Sequence, residues 1–83
     1  MTGNTIKFTV PGEDKQNMRV VLRDVFAALE EKGYNSINQI VGYLLTEDPT
    51  YITNYNNARS KICKLDRDEL LQELVRCYLF GKE

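Results

Sequence analysis

Apolar residues along this chain keep helical spacing over most of its length, and the exception is the start. Met18, Val21, Leu22, Val25 and Leu29 recur at helix-face intervals, with Phe26 widening the stripe. Arg19, Arg23, Asp24, Glu30 and Glu31 lie mostly off it, so the pattern predicts an amphipathic helix from about Lys15 to Lys32. Asp14 is placed to cap its start, and Gly33 to supply the left-handed residue that ends it. Ser36 with Gln39 then reads as a capping box opening a second helix. Along it run Ile37, Ile40, Val41, Leu44 and Leu45, with Tyr43 on the opposite side. So little polar surface remains that this helix is expected at the centre of the fold. Gly42 in its middle costs roughly 1 kcal/mol relative to alanine, which close approach of another backbone would justify.

The pattern then shortens. Asp48-Pro49 is an N-cap followed by proline at the first helical position, predicting a short turn from Pro49 to about Thr53. A third helix is expected from about Tyr55 to Lys64, burying Ala58, Ile62 and Leu65. Asp66 with Glu69 repeats the capping logic and opens a last helix from Arg67 to about Phe80, ended by Gly81. Its apolar stripe of Leu70, Leu71, Leu74, Val75, Tyr78 and Leu79 is wider than one neighbour requires. Residues 1–14 differ from all of this. Ile6, Phe8 and Val10 alternate with Lys7 and Thr9, and Pro11-Gly12-Glu13-Asp14 is a turn cluster. Five alternating residues with no sheet to join are marginal as a strand, so the expectation is a mobile tail with occasional extended structure. The chain thus divides into a tail, 1–14, and an all-α domain, 15–83, of four main helices plus a short turn.

Composition narrows the class. The chain has 83 residues, 42% hydrophobic and 28% charged with two prolines, the profile of one folded domain rather than a disordered segment. A domain this small buries a modest fraction of its surface and gains from a disulfide, a metal or a partner. Cys63 and Cys77 are too few and too far apart for a zinc site, and no apolar run approaches the roughly 20 residues of a membrane span. The expectation is a cytosolic protein with reduced, inert thiols and no membrane insertion. After the tail is set aside, the second helix and the wide last stripe exceed what four short helices can cover. A symmetric second copy would supply the missing surface, with Ile40, Leu44 and Leu45 as interface candidates.

Reactive chemistry is sparse. The chain has no histidine, so Ser36 and Ser60 lack their commonest activating base. Asp66, Asp68 and Glu69 lie together, but capping and the helix macrodipole account for them. Gly33 and Gly42 are isolated and form no phosphate loop. No catalytic residue, cofactor site or metal site is expected. Tyr34, Tyr43, Tyr51 and Tyr55, interleaved with Asn35, Asn54, Asn56 and Asn57, suggest base stacking as a rival reading, with Asn56 to Lys64 as a recognition helix. A net charge of −1, with Arg59, Lys61 and Lys64 as the local basic stretch, is a thin electrostatic footprint for nucleic acid. A small helical nucleic-acid-binding or protein-adaptor module is therefore the alternative, not the leading reading.

Four blocks in fixed order carry a resemblance: Lys32-Gly33-Tyr34-Asn35, Asn38-Gln39-Ile40-Val41-Gly42-Tyr43, Asp48-Pro49-Thr50-Tyr51 and Asn56-Asn57-Ala58-Arg59. With Arg67-Asp68-Glu69-Leu70-Leu71, Glu73-Leu74 and Tyr78-Leu79 beyond them, the chain resembles the IreB family of small helical proteins of Gram-positive bacteria, over about residues 5–80. The resemblance implies a non-enzymatic, dimeric regulatory phosphoprotein. Its kinase would be a membrane Ser/Thr kinase with extracellular cell-wall-binding repeats, in a system that adjusts envelope stress and antibiotic tolerance. It also implies a cognate phosphatase and a downstream protein target. Family members are phosphorylated on threonines of the tail; Thr5 aligns through Thr5-Ile6-Lys7-Phe8, and Thr2 by spacing only. The chain departs from the family at Ser36, usually proline, and at Thr46-Glu47, usually a small Ser-Gly turn. It departs again at Cys63 and Cys77, positions often basic and aromatic.

Overall fold

Four α-helices and two 3-10 turns make up the described part of the chain, and no strand occurs among those residues: α1 (Pro11–Glu31), α2 (Ser36–Thr46), α3 (Ala58–Cys63) and α4 (Arg67–Phe80). The structure is a computed structural model that describes residues 11–81, with side chains from residue 17 onward. The alternating stretch Ile6 to Val10 and the threonines Thr2 and Thr5 lie outside the described residues. The first helix begins at Pro11, four positions before the expected Lys15, so Asp14 sits inside the first turn rather than ahead of it. Proline suits the first helical position, because its missing N–H would have had no partner there.

The predicted stripe of α1 splits in two. Val21, Val25, Ala28 and Leu29 form the buried face. They pack with Tyr43, Ile52, Ala58 and Ile62, and Ile40, Leu44, Tyr51 and Leu65 close the cluster from its edge. Leu29 and Ile52 are fully buried at 0% exposure, placing the centre of the core between α1 and the segment after α2. Gly33, at φ +85°, ends α1 in the left-handed conformation, and the Tyr34 amide returns to the Leu29 carbonyl at 2.9 Å.

The start of α2 differs from the expectation by one residue. Asn35 is the cap, its side chain accepting from the Asn38 amide at 3.1 Å. Ser36 is instead buried, and its hydroxyl donates to the Phe26 carbonyl at 3.0 Å, fastening α2 to α1. Gln39 makes no box; its Nε2 donates to the Tyr51 carbonyl at 2.9 Å. The helix is also not central within one chain. Tyr43, read as the off-face residue, is buried, whereas Ile37, Val41 and Leu45 face outward. What approaches Gly42 is an aromatic ring rather than a backbone: an added Cβ would lie 2.5 Å from Tyr51 Cδ1 and 2.8 Å from Cζ.

Glu47 ends α2 at φ +62°. A non-glycine residue there costs roughly 1–2 kcal/mol. Two contacts offset that strain: its carboxylate accepts from Arg67 Nε at 2.8 Å, and the Thr46 hydroxyl donates to the Gly42 carbonyl at 2.8 Å. The expected third helix is broken in two. A 3-10 turn, Tyr55–Asn57, precedes α3, and Asn56 and Asn57 both take positive φ, 52° and 61°. Asparagine tolerates that region because its short polar side chain suits local turns, so an Asn-Asn pair interrupts rather than extends a helix. The limits of α4 match the expectation, with Asp66 accepting from the Asp68 and Glu69 amides and Gly81 left-handed at the end.

Candidate interaction surface

Asp66 and Arg67 fix where α4 leaves the body. Arg67 Nη1 donates to the Leu44 carbonyl at 2.6 Å while Nε pairs with Glu47, so one guanidinium ties the start of α4 to the end of α2. Leu70, one turn later, is buried, and it is the only α4 residue that is. Beyond it the helix carries its apolar stripe into solvent. Tyr78 is 91% exposed and Leu79 66%, with Val75 and Phe80 exposed beside them. Single exposed apolar residues are ordinary, but a cluster over about two turns marks a contact surface.

A second exposed row runs along α2. Ile37, Val41 and Leu45 recur every four residues, and Leu45 is 78% exposed. Of the three interface candidates, Leu45 points outward, while Ile40 and Leu44 pack partly against the core of their own chain. Between the exposed parts of α1, α2 and α4 lies a groove of about 390 Å³. Its apolar walls are Met18, Leu22 and Phe26 from α1, Ile37 and Ile40 from α2, and Leu70 and Leu74 from α4. Arg19, Arg23, Glu73 and Cys77 also line it.

The basic stretch is largely committed to holding the fold. Arg59 Nε donates to the Ile52 carbonyl at 2.8 Å, and Lys61 pairs with Asp24 on α1 at 3.2 Å. Lys32 sits 5.0 Å from the centroid of the Tyr55 ring, a cation–π contact that joins the end of α1 to the turn before α3. The tyrosines therefore serve the fold more than any array of stacking faces. Tyr43 is in the core, and Tyr51 covers Gly42.

Among the described residues two titrations are perturbed. Burial pushes the Tyr43 hydroxyl above its ordinary 10.0, and the hydrogen bond to Cys63 Sγ at 3.9 Å adds to the rise. The Asp48 carboxyl is held below its ordinary 3.8, first by the Thr50 hydroxyl at 2.7 Å and then by the Thr50 amide at 3.0 Å. Asp48 acts in a cap and Tyr43 in the packing of the core. Cys63 and Cys77 are free and exposed; Cys77 lies along the apolar groove, with its Sγ 3.5 Å from Glu73 Oε2. Among the described residues no group of His, Cys, Asp and Glu is placed to hold a metal ion. No helix there is long and apolar enough to cross a membrane.

An exposed apolar helix beside an apolar groove marks this face as a surface for contact. Residues 3–80 match the family model described as IreB regulatory phosphoprotein. A UPF0297 protein of Acetivibrio thermocellus is 57% identical over 82 residues, covering 95% of this chain and 91% of that protein. With a model match over nearly its whole length and a relative this similar, the chain belongs to the IreB family of regulatory phosphoproteins.

Proposed function

We propose that this chain is a cytoplasmic, non-enzymatic homodimer that a membrane Ser/Thr kinase phosphorylates on Thr5, and on Thr2, to report cell-envelope stress. The observation that carries the reading is the family match, which runs from residue 3 and so includes Thr5 in a regulatory phosphoprotein family. The structure supports it in two ways. The exposed apolar rows of α2 and α4 suit a second copy, since a self-complementary patch buries both halves at once. Thr46 and Thr50 are also less available to a kinase than a tail threonine. Thr46 and Thr50 donate their hydroxyls to the Gly42 carbonyl and to Asp48 within tight caps. Engagement of Arg59 and Lys61 inside the fold weighs against nucleic-acid recognition, which needs cations aimed at phosphate.

The test is genetic replacement. Cells carrying Thr2→Ala and Thr5→Ala together lose the stress-dependent change in tolerance to wall-active antibiotics, while Thr50→Ala cells keep it. Full regulation in cells with Thr2 and Thr5 both replaced would overturn the reading.

A further inference from the structure

We propose that the groove between α1, α2 and α4 is a docking site for the amino-terminal segment of the same chain, with Ile6 and Phe8 seated on its α1 wall. The groove opens on α1, the helix that the segment runs into, and its lining includes Met18 and Leu22, with Arg23 beside them. The segment offers apolar side chains at alternate positions, Ile6, Phe8 and Val10, so an extended chain presents all three to one side.

The reach agrees with the register. An extended chain advances about 3.3 Å per residue and a helix about 1.5 Å. A segment turning back at Pro11 puts Phe8, three residues away, about 10 Å along α1, level with Met18, seven residues on. Ile6 falls about 16.5 Å along, level with Leu22, and Thr5 about 20 Å along, close to Arg23 at about 18 Å. Val10 precedes a proline, which favours the extended backbone that such a return needs. Thr5 alternates with Ile6 and so faces the rim, where Arg23 stands, rather than the floor.

The charges fit a phosphate at that rim. Glu73, the acidic side chain of the lining, is engaged by Arg76 at 3.4 Å and approached by the Cys77 thiol. A phosphate on Thr5 would bring roughly −1.5 to −2 charge and three acceptor oxygens to Arg23, whose planar fork suits them. Docking of Ile6 and Phe8 needs no modification; its strengthening by phosphate rests on the phosphothreonine reading above. Phosphorylation would then close the tail onto the groove and withdraw that groove from other occupants.

Methyl NMR on the full chain tests this. The Met18, Leu22 and Leu74 methyls report the groove, and those of Leu29 and Ile62 report the core. Ile6→Ser with Phe8→Ser shifts the groove signals and leaves the core signals in place, at every protein concentration. Semisynthetic phosphothreonine at position 5 moves the groove signals further in the docked direction, and Arg23→Gln removes only that increment. Groove signals identical in the parent chain and the tail variant would overturn the proposal. So would groove shifts that follow protein concentration and ignore the tail, because a second copy would then occupy the site. The unmodified chains carry the docking result without any kinase, so a failure of kinase labelling is distinguishable from a failure of docking.

Discussion

Gly42→Ala sets two effects against each other, and the structure decides the sign. Alanine gains about 1 kcal/mol over glycine in a helix interior. Against that gain, the new Cβ would lie 2.5 Å from Tyr51 Cδ1 and 2.8 Å from Cζ, closer than packed carbons approach. The ring belongs to a partly buried side chain in a 3-10 turn, so it cannot simply swing into solvent. Overpacking of this kind costs about 1–3 kcal/mol. Displacing Tyr51 also loosens the Gln39 bond to its carbonyl, worth about 0.5–1.5 kcal/mol. The net expectation is a loss of about 1–3 kcal/mol, or a fall in Tm of roughly 5–15 °C for a domain of this size. Thermal unfolding at fixed protein concentration measures it, since self-association of the kind proposed would make Tm depend on concentration. The control is the same substitution with Tyr51→Ala already in place. Without the ring, Gly42→Ala becomes stabilising by about 1 kcal/mol. A Gly42→Ala protein more stable than the parent, or a loss unchanged when Tyr51 is absent, would refute the reasoning.

Leu45→Asp, at an exposed position of α2, should weaken the proposed dimer by at least about tenfold in Kd while helix content stays intact. Leu44→Asp should instead lower stability, because Leu44 packs against the core of its own chain; sedimentation and circular dichroism separate the two. Replacing Cys63 and Cys77 together by alanine should cost no more than about 1 kcal/mol in reducing buffer, both thiols being exposed and the Tyr43 bond to Cys63 Sγ being long at 3.9 Å. Asp48 has a folded pKa below its ordinary 3.8, so its contribution is present above that value and is lost as pH falls through the lower folded pKa. Asp48→Asn should therefore flatten the acid limb of a stability–pH curve, and an unchanged limb would show that the cap contributes nothing there.

How much of this was legible depended on whether a residue's partner was close in sequence. The span of α4, from its Asp66 cap to Gly81, follows from local chemistry and was readable directly. So was the α1 stripe, although its division into a core face and a groove face needed the other helices in place. The start of α2 slipped by one residue because Asn35 and Ser36 are both good caps. What separates them is the Phe26 carbonyl that claims the Ser36 hydroxyl from ten residues away. Tyr43 was misplaced because hydropathy sums point to Ile37, Val41 and Leu45 as the inward row. Apolar surface kept for another occupant looks the same in a sequence as apolar surface kept for the core. The break before α3 had a signal in the Asn56-Asn57 pair, since two residues tolerant of left-handed backbone seldom sit together inside a helix. The groove had none, because it joins Met18, Ile37 and Leu74 from three separate helices.

The central claim, that the chain is a kinase substrate through its amino-terminal segment, is tested most directly by mapping phosphate on the intact protein. The purified full-length chain is incubated with a wall-sensing Ser/Thr kinase and ATP, then fragmented and sequenced by mass spectrometry. The account predicts phosphate on Thr5, with Thr2 following, and none on Thr46 or Thr50, whose hydroxyls are held by the Gly42 carbonyl and by Asp48. Phosphate confined to those folded threonines, or none at all from a kinase active on a control substrate, would contradict it.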